Sequence, residues 1–264
     1  MTYSALVLAG SRGPDCTVAA LGGVSHKALL PIAGKPMIER VIATLSAVKS
    51  IDKVVVVIET PEVLSDLHSL NVLMDSGYLQ TLTAKPSPAQ SALHGFEALG
   101  GGQSGPVVIT TADNCLLTPE ILEYFLSSLP VGSDVTAAMA KTDMVLQAYP
   151  EARRTRMRFR DGGQGGCNLF AFQSPQAGKI IRFWRQVEEN RKSPLTMLRQ
   201  LGVMTALRYL TNTLTLAQAV EKLGKRTDTK LAVTHMPFAE AAIDVDSPED
   251  FYLAEKILIA RDSR

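Results

Sequence analysis

Short strand-like runs alternate with helix-like segments along the first two thirds of the chain, and this alternation constrains the fold most. Apolar runs at residues 5–9, 53–58, 106–111 and 135–140 have the length of buried strands. Between them, apolar residues recur on one helical face, as they do across residues 36–48. Strands and helices in alternation predict an α/β fold with a mainly parallel sheet covered by helices on both faces.

The last third of the chain has a different texture. Five arginines precede a glycine-rich stretch at residues 162–166, which predicts a turn, and residues 168–172 predict a strand. The helical pattern from 174 to 226 predicts an elaboration of the fold, and residues 241–246 predict a return to the sheet. We therefore expect a single domain over residues 1–264 with a helical elaboration at about 174–226.

Cysteine content and hydropathy exclude several classes of protein. The chain has 264 residues, enough for one large α/β domain. Three cysteines without a CxxC pair argue against a disulfide scaffold and a structural zinc site. No apolar run reaches the roughly 18 residues of a membrane span. The N-terminus lacks the features of a signal peptide, so we expect a cytoplasmic protein without stable membrane insertion.

Positive charge is concentrated in one part of the chain. The net charge is +1, which argues against nucleic acid as a partner, yet residues 151–208 hold 12 Lys/Arg and 4 Asp/Glu. On a strand, Arg156, Arg158 and Arg160 would share one face and suit a phosphate. A solvated basic face is the alternative. The stripe Leu207, Leu210 and Leu214 either packs on the sheet or meets a membrane surface.

Two segments near the N-terminus have the chemistry of a phosphate site. The loop Gly10-Ser11-Arg12-Gly13 follows the first predicted strand, and its small residues let backbone N–H groups approach a phosphate. It matches neither GxGxxG nor a Walker loop, and a plain tight turn is the alternative. Lys27 and Lys35 lie in an otherwise apolar segment, where a buried lysine needs an anionic partner such as a phosphate; two surface lysines are the alternative.

Aspartates follow two of the predicted strands. Asp113 comes directly after residues 106–111, and Asp244 and Asp246 alternate at the end of residues 241–246. Open α/β sheets bind ligands at the carboxyl ends of their strands, and carboxylate oxygens suit Mg²⁺. Ser247 is the better helix cap, so Asp246 is left for another role. Asp113 and Asp246 are therefore candidate ligands for Mg²⁺, and a turn stabilised by the Asp113 side chain is the alternative.

Three ordered segments together resemble a known enzyme family. They are Leu8-Ala9-Gly10-Ser11-Arg12-Gly13 with His26-Lys27 and Gly34-Lys35-Pro36, then Thr111-Ala112-Asp113, then Asp244-Val245-Asp246-Ser247-Pro248-Glu249-Asp250. The set resembles the MobA-like nucleotidyltransferases, which are related to molybdenum cofactor guanylyltransferase and to sugar-phosphate and methylerythritol-phosphate nucleotidyltransferases.

The resemblance implies a Rossmann-like, GT-A-like three-layer α/β fold and a reaction. An acceptor phosphate would attack the α-phosphorus of an NTP and release pyrophosphate, with Mg²⁺ as cofactor. The acceptor would be an anionic phosphorylated small molecule or lipid precursor. The implied residues are Lys27, Arg12 and Asp113 in catalysis; Leu8, Ala9, Gly10, Ser11, Gly13, Ser91 and Ala112 for the nucleotide; Arg156, Arg158, Arg160 and Asn168 for the acceptor; and Asp113, Asp246 and Asp244 for the metal.

Two other functions stay open from the sequence. A glycosyltransferase of the GT-A fold also uses strand-end aspartates and a metal, although the segment around Lys27 and Lys35 disfavours it. A non-catalytic nucleotide-binding regulator is the second alternative, because Arg12 stands earlier in its loop than the family pattern has it. The base of the NTP, the identity of the acceptor and the oligomeric state are left open.

Overall fold

The protein is described by a computed structural model that covers residues 1–11, 16–152, 157–189 and 202–263. In these residues the strands are β1 (Tyr3–Leu8), β2 (Pro31–Ile32), β3 (Lys35–Pro36), β4 (Ile51–Ile58), β5 (Leu79–Thr83), β6 (Val107–Thr111), β7 (Val135–Lys141), β8 (Met157–Phe159), β9 (Gly162–Phe172) and β10 (Leu231–His235).

The helices lie in the connections between the strands and at the end of the described chain. They are α1 (Thr17–Leu21), α2 (Met37–Ala47), α3 (His68–Asp75), α4 (Pro88–Ala98), α5 (Pro119–Ser127), α6 (Thr142–Ala148), α7 (Gly178–Glu189), α8 (Val203–Leu210), α9 (Leu216–Thr227) and α10 (Pro248–Asp262). Several begin as their sequence predicts: the Thr118 side chain accepts a hydrogen bond from the amide of Ile121, with proline in the first turn.

One large sheet organises the described residues. Its order is β10-β7-β9-β6-β1-β4-β5, and β8 pairs with β9. β9 runs antiparallel to β6, β7 and β8, whereas the pairs of β1 with β4 and β6, β4 with β5, and β10 with β7 are parallel. The predicted mixed, mainly parallel sheet is therefore confirmed.

Side chains alternate between two apolar layers on the faces of this sheet. In β1, Ala5 and Val7 belong to the layer that holds α2, α5 and α10, and Leu6 belongs to the layer that holds α4 and α7. All three are fully buried. A strand buried on both faces reads as a continuous apolar run, which is why β1 and β4 are recognisable from the sequence.

The predicted glycine turn at residues 162–166 is wrong. These glycines form the first half of β9, which pairs with β8 and with the end of β7. A Cβ on Gly163 would lie 2.9 Å from Thr142 Oγ1, so the missing side chain permits close packing of the start of α6. The hairpin turn lies earlier, at Arg160 and Asp161.

The predicted strand at residues 241–246 is also wrong. A 3-10 helix occupies Ala239–Ala242, and β10 is the strand that returns to the sheet. Ile243 and Val245 are nonetheless fully buried in the core. The sequence shows the alternation of an extended segment, but only one backbone bond, from Val245 N to Asp113 O at 3.2 Å, ties its end to the strand-edge loop.

Helices α7, α8 and α9, here called the helical lobe, lie within the stretch where an elaboration is expected. α9 begins with a capping box made by Thr215 and Gln218. Of the predicted apolar stripe, Leu214 is buried, while Leu207 and Leu210 are exposed on α8. Among the described residues, no helix combines the length and hydropathy needed to cross a membrane.

Candidate active site

The candidate site forms at the carboxyl ends of the two central strands. Leu8, the last residue of β1, is in register with Thr111, the last residue of β6. The Ala112 amide donates to the carbonyl of Leu8 at 2.9 Å. The loop after β1 and the Asp113 turn after β6 are therefore neighbours, as the parallel order predicts.

Asp113 has a fixed orientation because both of its carboxylate oxygens have partners. Thr111 Oγ1 donates to Oδ1 at 2.5 Å, and Lys27 Nζ donates to Oδ2 at 2.5 Å. Its side chain is only 16% exposed. A half-buried carboxylate held in this way has lost the freedom that a surface aspartate keeps, which suits a group that must hold a ligand in place.

Lys27 joins the two halves of the site. It begins a 3-10 helix, Lys27–Leu29, and its amide donates to Ser11 Oγ at 3.1 Å. Its ammonium also contacts Asp246 Oδ1 at 2.8 Å, so one cation bridges two carboxylates. Burial alone would lower the pKa of Lys27, but the two carboxylates together outweigh it and raise this pKa above its ordinary value.

The three predicted metal ligands lie together. Asp113, Asp244 and Asp246 each offer one carboxylate oxygen, and these oxygens lie within 4.8 Å of one another. We call these residues the carboxylate cluster. Carboxylate oxygens are the hard donors that Mg²⁺ prefers, and this ion takes one or two carboxylates together with waters and substrate phosphates. The residues therefore fit such an ion, although Asp244 and Asp246 do not follow a strand.

The N-terminus of α10 fixes the backbone beside Asp246. Ser247 caps the helix, since its hydroxyl accepts from the amide of Asp250 at 3.2 Å. Asp250 Oδ2 in turn accepts from the amide of Asp246 at 3.3 Å. The predicted cap at Ser247 is confirmed, and the Asp246 side chain is left to face Lys27.

Asn168 reaches the carboxylate cluster through an unusual backbone. It has a φ of 45°, in the left-handed region that asparagine tolerates better than most residues. Its Nδ2 donates to Asp244 Oδ2 at 2.5 Å. The residue before Asn168, Cys167, has its carbonyl bonded to Asn114 Nδ2 at 3.2 Å. This bond holds the backbone next to Asn168 against the end of β6.

The loop after β1 has a contact that the sequence did not reveal. Ser11 N donates to Glu59 Oε1 at 2.6 Å, and Glu59 is the residue directly after β4. Leu8, Ala9, Gly10 and Ala112 lie at the same edge, while Arg12 and Gly13 fall outside the described residues. The parallel pairing of β1 with β4 was the signal that could have predicted this contact, because it places the residue after β4 beside the loop after β1.

Ser91 shapes the loop after β5. It is buried in α4, and its hydroxyl accepts from the amide of Lys85 at 2.9 Å and donates to the carbonyl of Lys85 at 3.3 Å. Its hydroxyl therefore fixes the backbone of residues 85–91 at the carboxyl end of β5.

The predicted arginine face is partly described. Arg158 in β8 and Arg160 in the following turn are exposed, and Phe159 between them is buried against Leu214 and Leu216. Arg156 falls outside the described residues. The hairpin of β8 and β9 extends past the end of β6, because Thr110 already pairs with Leu169. Both arginines consequently lie on a hairpin beyond the carboxyl end of β6.

Cys115 lies close to Asp113 and is buried. Burial, followed by the carboxylate of Asp113, raises the pKa of its thiol to about 12. No disulfide joins Cys16, Cys115 and Cys167 to one another.

Comparisons with known proteins agree on one family. The family model of the MobA-like NTP transferase domain matches residues 5–220. A 2-C-methyl-D-erythritol 4-phosphate cytidylyltransferase from Cereibacter sphaeroides is 25% identical over 177 residues, 67% of this chain and 72% of that protein. The enzyme of the same name from Gloeobacter violaceus is 25% identical over 181 residues, 67% of this chain and 71% of that protein.

Solved structures share the fold. A hypothetical transferase from Thermus thermophilus superposes with a TM-score of 0.78 at 27% identity, covering 95% of this chain and all of that one. CMP:2-keto-3-deoxy-manno-octonic acid synthetase, solved with CTP, superposes with a TM-score of 0.60 at 13% identity, covering 99% of this chain and 100% of that one.

Proposed function

The chain belongs to the MobA-like NTP transferase family and is a nucleotidyltransferase, and from that premise we propose a specific reaction for it. It joins the NMP part of an NTP to a phosphorylated acceptor and releases pyrophosphate, and it depends on Mg²⁺. The observation that carries the proposal is the meeting of the Lys27 ammonium with the carboxylate cluster at one strand edge.

In this reaction one bond forms and one breaks, so the protein mainly positions the two substrates and neutralises their phosphate charge. An oxygen of the acceptor phosphate forms a bond to the α-phosphorus, and the bond from that phosphorus to the bridging oxygen breaks. The electron pair leaves with pyrophosphate, and no proton is transferred when the acceptor phosphate is ionised. Negative charge builds up around the α-phosphorus and the leaving oxygen, which is where a fixed cation lowers the barrier most.

Asp113, Asp244 and Asp246 would hold the Mg²⁺, which when bound neutralises phosphate charge and lines up the triphosphate. Lys27 supplies a second positive charge. Its amino group is protonated at neutral pH, because the pKa of Lys27 lies above its already high ordinary value. Asn168 positions Asp244, and Thr111 positions Asp113. Arg12 and the loop residues Gly10, Ser11 and Gly13 would contact the β- and γ-phosphates.

Arg158 and Arg160 are proposed to bind the acceptor. Both are exposed on the β8–β9 hairpin beyond the carboxyl end of β6, and guanidinium groups bind phosphates through paired N–H donors. The two cytidylyltransferase relatives are named for a phosphorylated sugar alcohol, which favours an anionic small acceptor here as well.

The test is a screen of four NTPs against phosphorylated acceptors with pyrophosphate release as the readout. Pyrophosphate that forms only with Mg²⁺ and acceptor present supports the proposal. Release of a nucleoside diphosphate from a nucleotide sugar would instead identify a glycosyltransferase. A variant with an exposed aspartate of α6 replaced, Asp143→Asn, should release pyrophosphate like the wild type and is the control for the aspartate variants of the site.

A further inference from the structure

Helix α8 packs against the rest of the protein with its polar side. Lys222 Nζ, from α9, donates to Thr205 Oγ1 at 3.2 Å, and Arg208 donates to Gln218 Oε1 at 2.8 Å. The ring of Tyr209 packs edge-on against the buried phenylalanine of β8, with the two ring centroids 5.8 Å apart. Positions 205, 208 and 209 lie on one face of a helix, so this face of α8 is turned inward.

The opposite face of α8 is apolar and exposed. Val203, Met204, Leu207 and Leu210 are 66%, 64%, 52% and 78% exposed, and α8 buries none of its own residues. Their spacing places all four on one side of the helix, away from the polar contacts. An amphipathic surface helix normally turns its apolar face towards the core, and α8 does the reverse. A contiguous apolar surface of this kind indicates a contact with something outside the chain.

The charge around this face determines which kind of surface it suits. The helical lobe contains seven Lys/Arg and three Glu, and Arg208 is the one charged residue between positions 202 and 216. Arg208 and Lys222 bond to neutral oxygens in the contacts above, so those contacts leave their positive charge in place. A helix with an apolar face and basic surroundings attracts anionic headgroups and places its apolar side chains at the boundary with the acyl chains.

We propose that the helical lobe docks reversibly on an anionic lipid surface through the exposed face of α8. A second copy of this chain is the competing occupant. A symmetric pairing of two α8 helices would bring the same positive lobe against itself, and like charges across an interface repel. The four exposed side chains also carry no hydrogen-bond donor, so they suit hydrocarbon better than a polar protein surface. A single short amphipathic helix is a weak anchor, which makes the docking reversible.

The test is co-sedimentation of the full chain with vesicles, without nucleotide or acceptor, so its result is independent of the proposed reaction. Vesicles of phosphatidylcholine alone are compared with mixed vesicles of phosphatidylcholine and the anionic phosphatidylglycerol. The wild type should bind the mixed vesicles about tenfold or more tightly, and high salt should weaken this binding. Leu210→Glu should lower the affinity for the mixed vesicles by about tenfold, because a buried leucine is lost and a carboxylate meets an anionic surface.

Ile259→Glu is the matched control. Ile259 is an apolar residue of α10 that is 54% exposed, and its variant has the same net charge as Leu210→Glu. It should bind the mixed vesicles as the wild type does, and circular dichroism should show that both variants are folded. An equal loss of binding in the two variants would assign the effect to net charge and overturn the role of α8.

Two further results would overturn the proposal. One is a wild type that does not bind the mixed vesicles at low salt. The other is a dimer in sedimentation equilibrium that Leu210→Glu dissociates, since this would assign the exposed face of α8 to a second copy of the chain.

Discussion

The carboxylate cluster with Lys27 and the helical lobe both contain dense charge, but they use it in opposite ways. Lys27 and Asp113 are 15% and 16% exposed and paired, and their backbones are tied to neighbouring loops. In the helical lobe, Lys225 and Glu221 form an exposed ion pair, and Leu210 is 78% exposed. Fixed, half-buried charge acts on a reaction, whereas exposed charge contributes little beyond attraction.

The largest effect is expected from Asp113. Asp113→Asn keeps the shape but removes the charge that faces Lys27 and would hold the proposed Mg²⁺, so kcat should fall by about 10³ or more. Steady-state release of pyrophosphate measures it, with circular dichroism to show that the fold is retained. The control Asp143→Asn should be unchanged, and turnover of Asp113→Asn within tenfold of the wild type would contradict its role.

Lys27 should show two effects of opposite direction. In Lys27→Met, kcat falls about 10² to 10³, because a charge that acts on the transition state is lost. Binding of Mn²⁺ without nucleotide becomes tighter, because Asp113 and Asp246 no longer share an internal cation. Electron paramagnetic resonance of free Mn²⁺ reports the second effect. Unchanged Mn²⁺ affinity would mean that the ammonium does not compete for the carboxylate cluster.

Arg158 in β8 tests what an exposed charge contributes, in contrast to the paired charges of Lys27 and Asp113. Arg158→Ala should raise the KM for the acceptor by about tenfold, equivalent to about 1.5 kcal/mol, the lower range for a charged hydrogen bond. The KM for the NTP should stay constant. Lys225→Ala removes another exposed cation, in α9, and should change neither value. A raised KM for the NTP alone would reverse the assignment of this face.

A smaller effect is expected at Asn168, where two variants distinguish the role of its backbone conformation from that of its side-chain contact. Asn168→Gly suits the positive φ but loses the contact with Asp244, while Asn168→Ala loses the contact and strains the backbone. The free energy of unfolding of Asn168→Ala should be lower by about 1 kcal/mol than that of Asn168→Gly. Urea denaturation measures the difference. Equal stabilities would show that the left-handed backbone relaxes freely.

The smallest effect concerns alkaline pH. The pKa of Lys27 is raised in the folded chain, so its contribution to stability is fully present below the unfolded value of about 10.4. It is lost as the pH rises through the folded value. The stability difference between wild type and Lys27→Met should therefore be constant at neutral pH and shrink above about pH 10.5. A difference that already shrinks near neutrality would contradict the raised pKa.

Sequence patterns predicted the parts of the fold in which local and tertiary preferences agree. β1, β4, β6 and β7 are short apolar runs buried on both faces, and the sequence locates each within two residues. The caps at Thr118 and Ser247 are short-range interactions that a few residues specify. Asp113 was recognisable because strand ends of a parallel sheet meet at one edge.

Tertiary structure alone decided three features. The glycines of residues 162–166 form a strand because β7 and β8 supply partners, although glycine by itself favours a turn. Residues 241–246 alternate like a strand but find no ladder, since β10 takes the place beside β7. Glu59 meets Ser11 across 48 positions of the chain. Local sequence patterns determine the periodicity of an element and its helix caps. Which strand pairs with which depends on residues that are distant in the chain, so it is decided only when the sheet assembles.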